Sequence, residues 1–283
     1  MNVQLSENAY GKSQVRLTKV TRLPDRHELK EISADILLAG QFDACYLTGD
    51  NSGVLPTDTI KNTVYALASS HPLESVEAFA LHLCDHFMNH KQIPHCTSAT
   101  VTLRESRWQR IESNGKPHAW AFSSGGDEKR ICIVTRSRNA IEVRGGIEDL
   151  VVLKTTDSGF VDFIRDPFTT LVDTTDRIFA TTIRATWKYA GHHQEWSQVY
   201  DRIRTAILET FSSHKSLAVQ QTLYAMGEAA LSATASISEI ELQLPNQHRI
   251  AFNLEPLGLK NANEVFVPTT EPFGMITGTV RRS

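Results

Sequence analysis

The sequence predicts an α+β protein built on antiparallel sheets. Segments with strand-like alternation come in runs, separated from runs of segments with helical period, which is the α+β pattern. The order of strands, two helices, strands occurs in the first half of the chain and again in the second. Turn residues join neighbouring alternating segments, as hairpins require.

Residues 14–22 read as a strand, followed by a turn at Leu23-Pro24-Asp25. Ile32, Ala34, Ile36 and Leu38 then alternate with polar Ser33 and Asp35, the signature of a half-buried strand. Thr57 suits an N-cap, with Asp58 in the first turn and Ile60, Val64, Leu67 and Ala68 as the helical stripe behind it. Residues 74–90 form a second helix carried by Val76, Phe79, Leu83 and Phe87. Residues 99–108 and 130–136 are strands, with Gly125-Gly126 as a tight turn between them.

The second half repeats the plan. Residues 150–155 and 181–189 are strand-like. Residues 196–211 form an amphipathic helix with Val199, Ile203, Ile207 and Phe211 inward, and residues 217–233 form another through Leu223, Met226 and Ala230. Ile240, Leu242 and Leu244 alternate in a strand, Pro245-Asn246 turns, and Ile250, Phe252 and Leu254 alternate in the next. Short strands at 265–267 and 275–281 follow. Thr57-Asp58 in one half is echoed by Thr175-Asp176 in the other. The boundary is expected within residues 137–146, giving domains 1–138 and 139–283.

Composition narrows the function. Apolar residues make up 41% of the 283 and charged residues 22%, with a formal net charge of −3, so there is no basic field for nucleic acid. No stretch approaches the roughly 18 apolar residues of a membrane span. The first twenty residues lack a signal-peptide core, and Arg281-Arg282-Ser283 differs from a peroxisomal Ser-Lys-Leu address. The four cysteines form no C-x-x-C pair and no disulfide framework, so a reducing, cytoplasmic setting is expected.

Neither a Gly-x-Gly-x-x-Gly nor a Gly-x-x-x-x-Gly-Lys phosphate loop is present. Gly145-Gly146 reads as a turn, and His192-His193 as a solvated loop. His82, His86 and His90 have helical zinc-ligand spacing, with Cys84 between them and His95-Cys96 just after. The catalytic Glu of His-Glu-x-x-His is missing, however, because Leu83 stands there and belongs to the apolar stripe. No metal site is expected.

Short segments spread over nearly the whole chain carry a resemblance. They are Tyr10-Gly11-Lys12 with Val15-Arg16, then Thr57-Asp58-Thr59-Ile60-Lys61-Asn62-Thr63, and Leu153-Lys154-Thr155. Phe160 follows, with Phe163-Ile164-Arg165-Asp166, Thr169-Thr170-Leu171 and Asp176-Arg177-Ile178. Val219-Gln220-Gln221-Thr222, Leu244-Pro245-Asn246-Gln247-His248 and Asn263-Glu264-Val265-Phe266 complete the set. In this order they resemble the urate oxidase family.

The resemblance implies two tandem tunnelling-fold domains per chain, each an antiparallel sheet backed by two helices. It implies a homotetrameric barrel with active sites at subunit interfaces. It also implies oxidation of urate by O2, without a cofactor, to 5-hydroxyisourate and hydrogen peroxide.

It assigns roles by position. Phe160 stacks on the purine, Arg177 and Gln220 clamp one edge, and Val219 adds a backbone N–H. Thr57 and the Asp58 backbone reach the other edge from a neighbouring chain. Lys12, Thr57 and His248 form a proton relay, Asn246 holds oxygen or water above the ring, and Ile276 lines the pocket. Pro56 departs from the small residue common before the threonine, and proline is compatible with a position just outside a helix.

The chemistry of the residues agrees with these roles. Thr57-Asp58 and Val219-Gln220 stand at helix starts, where unpaired N–H groups and the positive dipole end favour an anion. Arg177 offers a charged fork, and Gln220 both donates and accepts. Taken without the resemblance, Lys12 is a solvated lysine, Arg177 a surface ion pair, Phe160 a core aromatic and His248 a buried, hydrogen-bonded histidine. Two rivals stay open: a zinc-dependent enzyme of the same fold acting on a pterin or another purine, and a purine-binding oligomer without chemistry.

Overall fold

The computed structural model describes residues 3–191 and 195–283. Its contacts divide the chain into two compact units, Met1–Gly146 with Gly191–Ser197, and Ile147–Ala190 with Gln198–Ser283.

In the first unit, β1 (Ala9–Arg22), β2 (His27–Gly40), β3 (Cys96–Ser113) and β4 (Lys116–Ser137) lie side by side in that order, every pair antiparallel. Three helices, α1 (Asp43–Thr48), α2 (Thr57–Ser70) and α3 (Val76–Met88), fall between β2 and β3. Period-two burial makes the sheet face: Ile32, Ala34, Ile36 and Leu38 are buried, as are Ala99, Val101 and Leu103 on β3. Phe79, Leu83 and Phe87, one helical turn apart, bury the matching face of α3 against β3 and β4. Ser75 caps α3, its Oγ accepting from the Ala78 N–H at 3.1 Å. Inside this unit the Arg130 guanidinium is buried on Glu77 at 2.7 Å and also donates to Ser197 Oγ at 3.2 Å.

In the second unit, β5 (Ile141–Lys154, beginning in the first unit), β6 (Phe179–Tyr189), β7 (Ile237–Gln247) and a late strand, β10 (Gly274–Arg281), follow one another across the sheet. The helices α4 (Trp196–Ser213) and α5 (Val219–Ala233) separate β6 from β7. A small ribbon of β8 (Arg249–Ala251) and β9 (Phe266–Pro268) sits between β7 and β10 in sequence. Val199, Ile203, Ile207 and Phe211 form the buried stripe of α4, and Leu223, Met226 and Ala230 that of α5. Gly227 lets α5 approach β10 closely, since a Cβ there would stand 2.5 Å from Val280 Cγ2.

Cations close the helix C-termini, where unpaired carbonyls and the negative dipole end collect. Lys19 Nζ donates to Ala68 O at 2.7 Å at the end of α2, and Lys154 Nζ to His214 O at 2.5 Å after α4. Arg282 donates to Leu231 O in the last turn of α5 and to Thr234 O just after it at 2.7 Å.

Six local expectations change, the first being that Gly145-Gly146 runs inside β5 rather than forming a turn. Pro56, not Thr57, is the N-cap of α2, and Thr57 is its first helical residue. The turn between β3 and β4 is Asn114-Gly115, both at positive φ, while Gly125-Gly126 lies within β4 at a register shift opposite Arg107. A glycine pair serves a bulge as well as a turn, and sequence spacing does not separate the two. Pro245 and Asn246 continue β7, pairing with Met275 and Gly274. The strand expected at 250–254 contracts to Arg249–Ala251, and its alternating Ile250 and Phe252 are exposed. Thr175-Asp176 lies in the loop before β6 rather than at a helix start, so the echo of Thr57-Asp58 has no structural counterpart.

Candidate functional site

The residues singled out fall into two sets, one in each unit. The first set is Lys12, Thr57 and Asp58. Helix α2 is laid along β1 by ties that occur in the same order on both. The Leu55 N–H donates to Tyr10 Oη at 2.8 Å, Tyr65 Oη donates to Arg16 O at 3.0 Å, and Lys19 reaches Ala68. The first turn of α2 therefore lies at the Lys12 end of the strand.

Gly11 permits the local pairing, because a Cβ there would stand 1.8 Å from Ile36 O on β2. We expect Gly11→Ala to cost about 1–3 kcal/mol through backbone displacement. The denaturant midpoint reads this, and an unchanged midpoint would contradict the close approach. Just past Lys12 the register of β1 shifts between Lys12 and Val15. Gln14 there has φ +57°, and its N–H donates to Asp35 Oδ1 at 2.7 Å. Asp35 is held in turn by Arg104 at 2.7 Å. Bulges of this kind re-aim side chains, and this one lies beside Lys12.

Helix α2 has no side-chain cap, and its first internal bond runs from Ile60 N to Pro56 O at 3.1 Å. The Asp58 carboxylate is turned along its own helix, bonded to Lys61 at 2.5 Å and Asn62 at 3.0 Å. The Lys61 hydrogen bond holds it below the usual carboxylate range, and the charge of Lys12 acts in the same direction. The Thr57 hydroxyl is exposed, not spent as a cap.

The second set is Phe160, Arg177, Val219, Gln220, Asn246, His248 and Ile276. Ser158 and Ser216 form a parallel bridge. The Gly159 N–H donates to Ser216 O at 2.8 Å, the Ser216 N–H to Asp157 O at 2.9 Å, and the Arg177 N–H to Ser158 O at 2.7 Å. Phe160 and Thr174 exchange backbone bonds at 2.7 and 3.0 Å. This small frame brings the Arg177 guanidinium to 5.6 Å from the centre of the Phe160 ring.

Burial lowers the pKa of Arg177, and no acceptor for its side chain is found among the described residues. Helix α5 starts at Val219 with Ala218 as N-cap and no side-chain cap. Val219 is buried and Gln220 exposed. Asn246 lies opposite Gly274, and Ile276 opposite Leu244, on one face of the β7–β10 pair. The space above Gly274 is bordered by Ile276 Cδ1 and Asn246 Cβ, 3.8 and 3.9 Å from the position a Cβ would take.

His248 follows β7 and is exposed, against the buried histidine its parity suggests; its carbonyl accepts from the Thr269 N–H at 3.0 Å. The family resemblance gives Phe163 no role. Its ring lies parallel to Phe160, centres 5.0 Å apart and planes 7° apart. The Phe-x-x-Phe spacing was the available signal.

The histidines take other partners. His95 Nε2 bonds Gly53 O at 2.7 Å, and His71 and His82 face one another at 5.2 Å. His86 and His90 are 5.6 Å apart, while burial pushes the Cys84 thiol up to about 12. Among the described residues no group of three or more His, Cys, Asp or Glu is arranged to hold a metal ion. His192-His193 lies outside the described residues. Among the described residues, no helix is long and apolar enough to cross a membrane.

Comparison with known proteins places these features in context. The family described as Uricase matches residues 8–135 and 143–277. A uricase of Arthrobacter globiformis is 40% identical over 280 residues, covering 99% of this chain and 90% of that one. A uricase of Danio rerio is 37% identical over 288 residues, covering 99% and 96%. The crystal structure of the A. globiformis uricase superposes with a TM-score of 0.93, covering 100% of this chain and 96% of that one. A Bacillus sp. TB-90 urate oxidase, 21% identical with a TM-score of 0.82 and covering 97% of this chain and 100% of that one, shares the fold.

Proposed function

The chain belongs to the uricase family, has its tunnelling fold and is an oxidoreductase acting on urate; from that premise we propose the reaction, the site and the assembly. Urate, O2 and water are converted to 5-hydroxyisourate and hydrogen peroxide, in purine degradation, without a metal or organic cofactor. The atoms balance: the oxygen of water becomes the hydroxyl on ring carbon 5, and both atoms of O2 leave as hydrogen peroxide.

The observation that carries this reading is Arg177. A half-buried guanidinium with no acceptor among the described residues is a costly arrangement until an anion arrives. Urate is a planar anion near neutral pH, and its adjacent acceptors match a guanidinium fork. Gln220 and the Val219 N–H complete that edge, and Phe160 supports the ring. An aromatic face adds about 0.5–1.5 kcal/mol beyond simple burial.

Thr57 and the Asp58 N–H bind the opposite edge from a neighbouring subunit, where α2 presents an uncapped start. Lys12, through Thr57 and with His248, removes a proton from urate, which makes it electron-rich enough to reduce O2. Peroxide bonded at ring carbon 5 then leaves as hydrogen peroxide, and water adds in its place. Asn246 holds first oxygen and then water above the ring, with Ile276 as the apolar wall beside it.

A homotetramer fits the exposed apolar side chains. Ile164 is 94% exposed and Phe168 89%, and Ile250, Phe252 and Met275 are open as well. Contact between subunits would cover such side chains. We take 1–138 and 139–283 as the two tunnelling-fold repeats, and the cytoplasm as the compartment.

The test mixes chelator-treated protein with urate in aerated buffer and follows urate absorbance, dissolved oxygen and peroxide together. Matched loss of urate and oxygen with peroxide formed is the expected result. Urate untouched by an intact oligomer would overturn the reading and favour a pterin-type activity or purine binding alone.

A further inference from the structure

Helix α5, like α2, begins without a side-chain cap. Its N-cap is Ala218, which offers no side-chain acceptor, so the first N–H groups stay available. The strand-like approach to the helix is instead held from inside its first turn. The Thr222 hydroxyl, fully buried, donates to Ser216 Oγ at 2.8 Å. Ser216, also buried, donates to Ala218 O at 3.2 Å. The pair therefore fixes the three residues that lead into Val219 and Gln220 without using a helix N–H.

The same Ser216 is the backbone partner of the Phe160–Arg177 frame. Its N–H and C=O are taken by Asp157 and Gly159, and the bridged Ser158 accepts from Arg177. One buried hydroxyl pair thus stands between two groups that must keep a fixed separation to grip one edge of a rigid purine: the helix start on one side, the ring and guanidinium on the other. Sub-ångström placement of such groups governs affinity for a planar ligand.

We infer that Thr222 and Ser216 are positioning residues for urate, a hydroxyl joint that sets the start of α5 against Phe160 and Arg177. The inference rests on the proposed substrate site. Neither residue touches urate. Each acts through the residues it holds, so its loss weakens binding of the purine edge and leaves the proton relay intact.

Three single variants and the double variant of Thr222→Val with Ser216→Ala test this. Thr222→Val keeps the shape and removes the hydroxyl, Thr222→Ser returns it, and Ser216→Ala removes the acceptor. Urate dissociation constants are measured without oxygen, alongside KM, kcat and the thermal midpoint of the oligomer. Thr222→Val is expected to raise Kd and KM about tenfold, the scale of one buried hydrogen bond, with kcat within about twofold of the parent. Thr222→Ser is expected to return Kd to within about twofold, and Ser216→Ala to reproduce Thr222→Val. The double variant should be no worse than either single one, because both break the same joint.

Equal weakening by Thr222→Val and Thr222→Ser would make the role one of packing and overturn the inference. So would an unchanged Kd in folded Thr222→Val. If Thr222→Val does not fold, Ser216→Ala carries the same expectation. Should the parent bind urate without consuming oxygen, the enzymatic reading fails, while the anaerobic Kd series still judges the joint.

Discussion

Replacing Lys12 by methionine is expected to lower kcat for urate by about 10²–10⁴ while leaving urate binding near that of the parent. Methionine keeps an unbranched stem of similar length on β1 and removes the amine. The bulge at Gln14 is held by its own backbone bond to Asp35, so the strand geometry beside position 12 survives the change. What is lost is the group proposed to take the proton from urate through Thr57. Thr57→Ala should act in the same direction, because its exposed hydroxyl is not needed as a cap for α2. If both belong to one relay, the double variant falls no further than the worse single one. Anaerobic urate binding and kcat at saturating urate separate the outcomes. Losses of equal size in both would remove Lys12 from the relay and place it among the groups that merely bind.

The fold was legible wherever burial imposes a period. Ile32, Ala34, Ile36 and Leu38 had to be one face of a strand, and Val199, Ile203, Ile207 and Phe211 one face of a helix, because no other backbone buries either set together. Legibility failed where the same residue type serves two geometries. Gly125-Gly126 suits a turn or a bulge, and the pairing of β3 with β4 decides between them. Pro245 reads as a turn residue but sits inside β7, opposite Met275. The six-residue α1 has no buried residue, so no stripe announced it.

The candidate site divides in a similar way. Helix starts at Thr57 and Val219 were readable from their stripes. The Ser158–Ser216 frame was not, because the backbone bonds that tie residues 157–159 to Ser216 join positions more than fifty apart in the chain. Family resemblance named Arg177, and the geometry supplied what resemblance alone does not: a guanidinium set 5.6 Å from the Phe160 ring and half-withdrawn from water.

That placement makes Arg177→Ala the variant with the largest expected effect on affinity. Two charge-assisted hydrogen bonds, each contributing about 1.5–3 kcal/mol, place the loss at roughly 10²–10⁴ in Kd. The cost of holding the cation out of water is already present in the free protein, so removing it should raise stability slightly while weakening urate binding. Opposite signs for stability and affinity are characteristic of a group kept for a ligand rather than for the fold. Arg177→Lys should recover only part of the affinity, since an ammonium supplies charge without the planar fork. The experiment pairs the anaerobic urate Kd with the thermal midpoint of each variant. A Kd unchanged in Arg177→Ala would take the residue out of the clamp. A midpoint that falls together with affinity would make Arg177 a structural cation whose partner lies in the assembled oligomer.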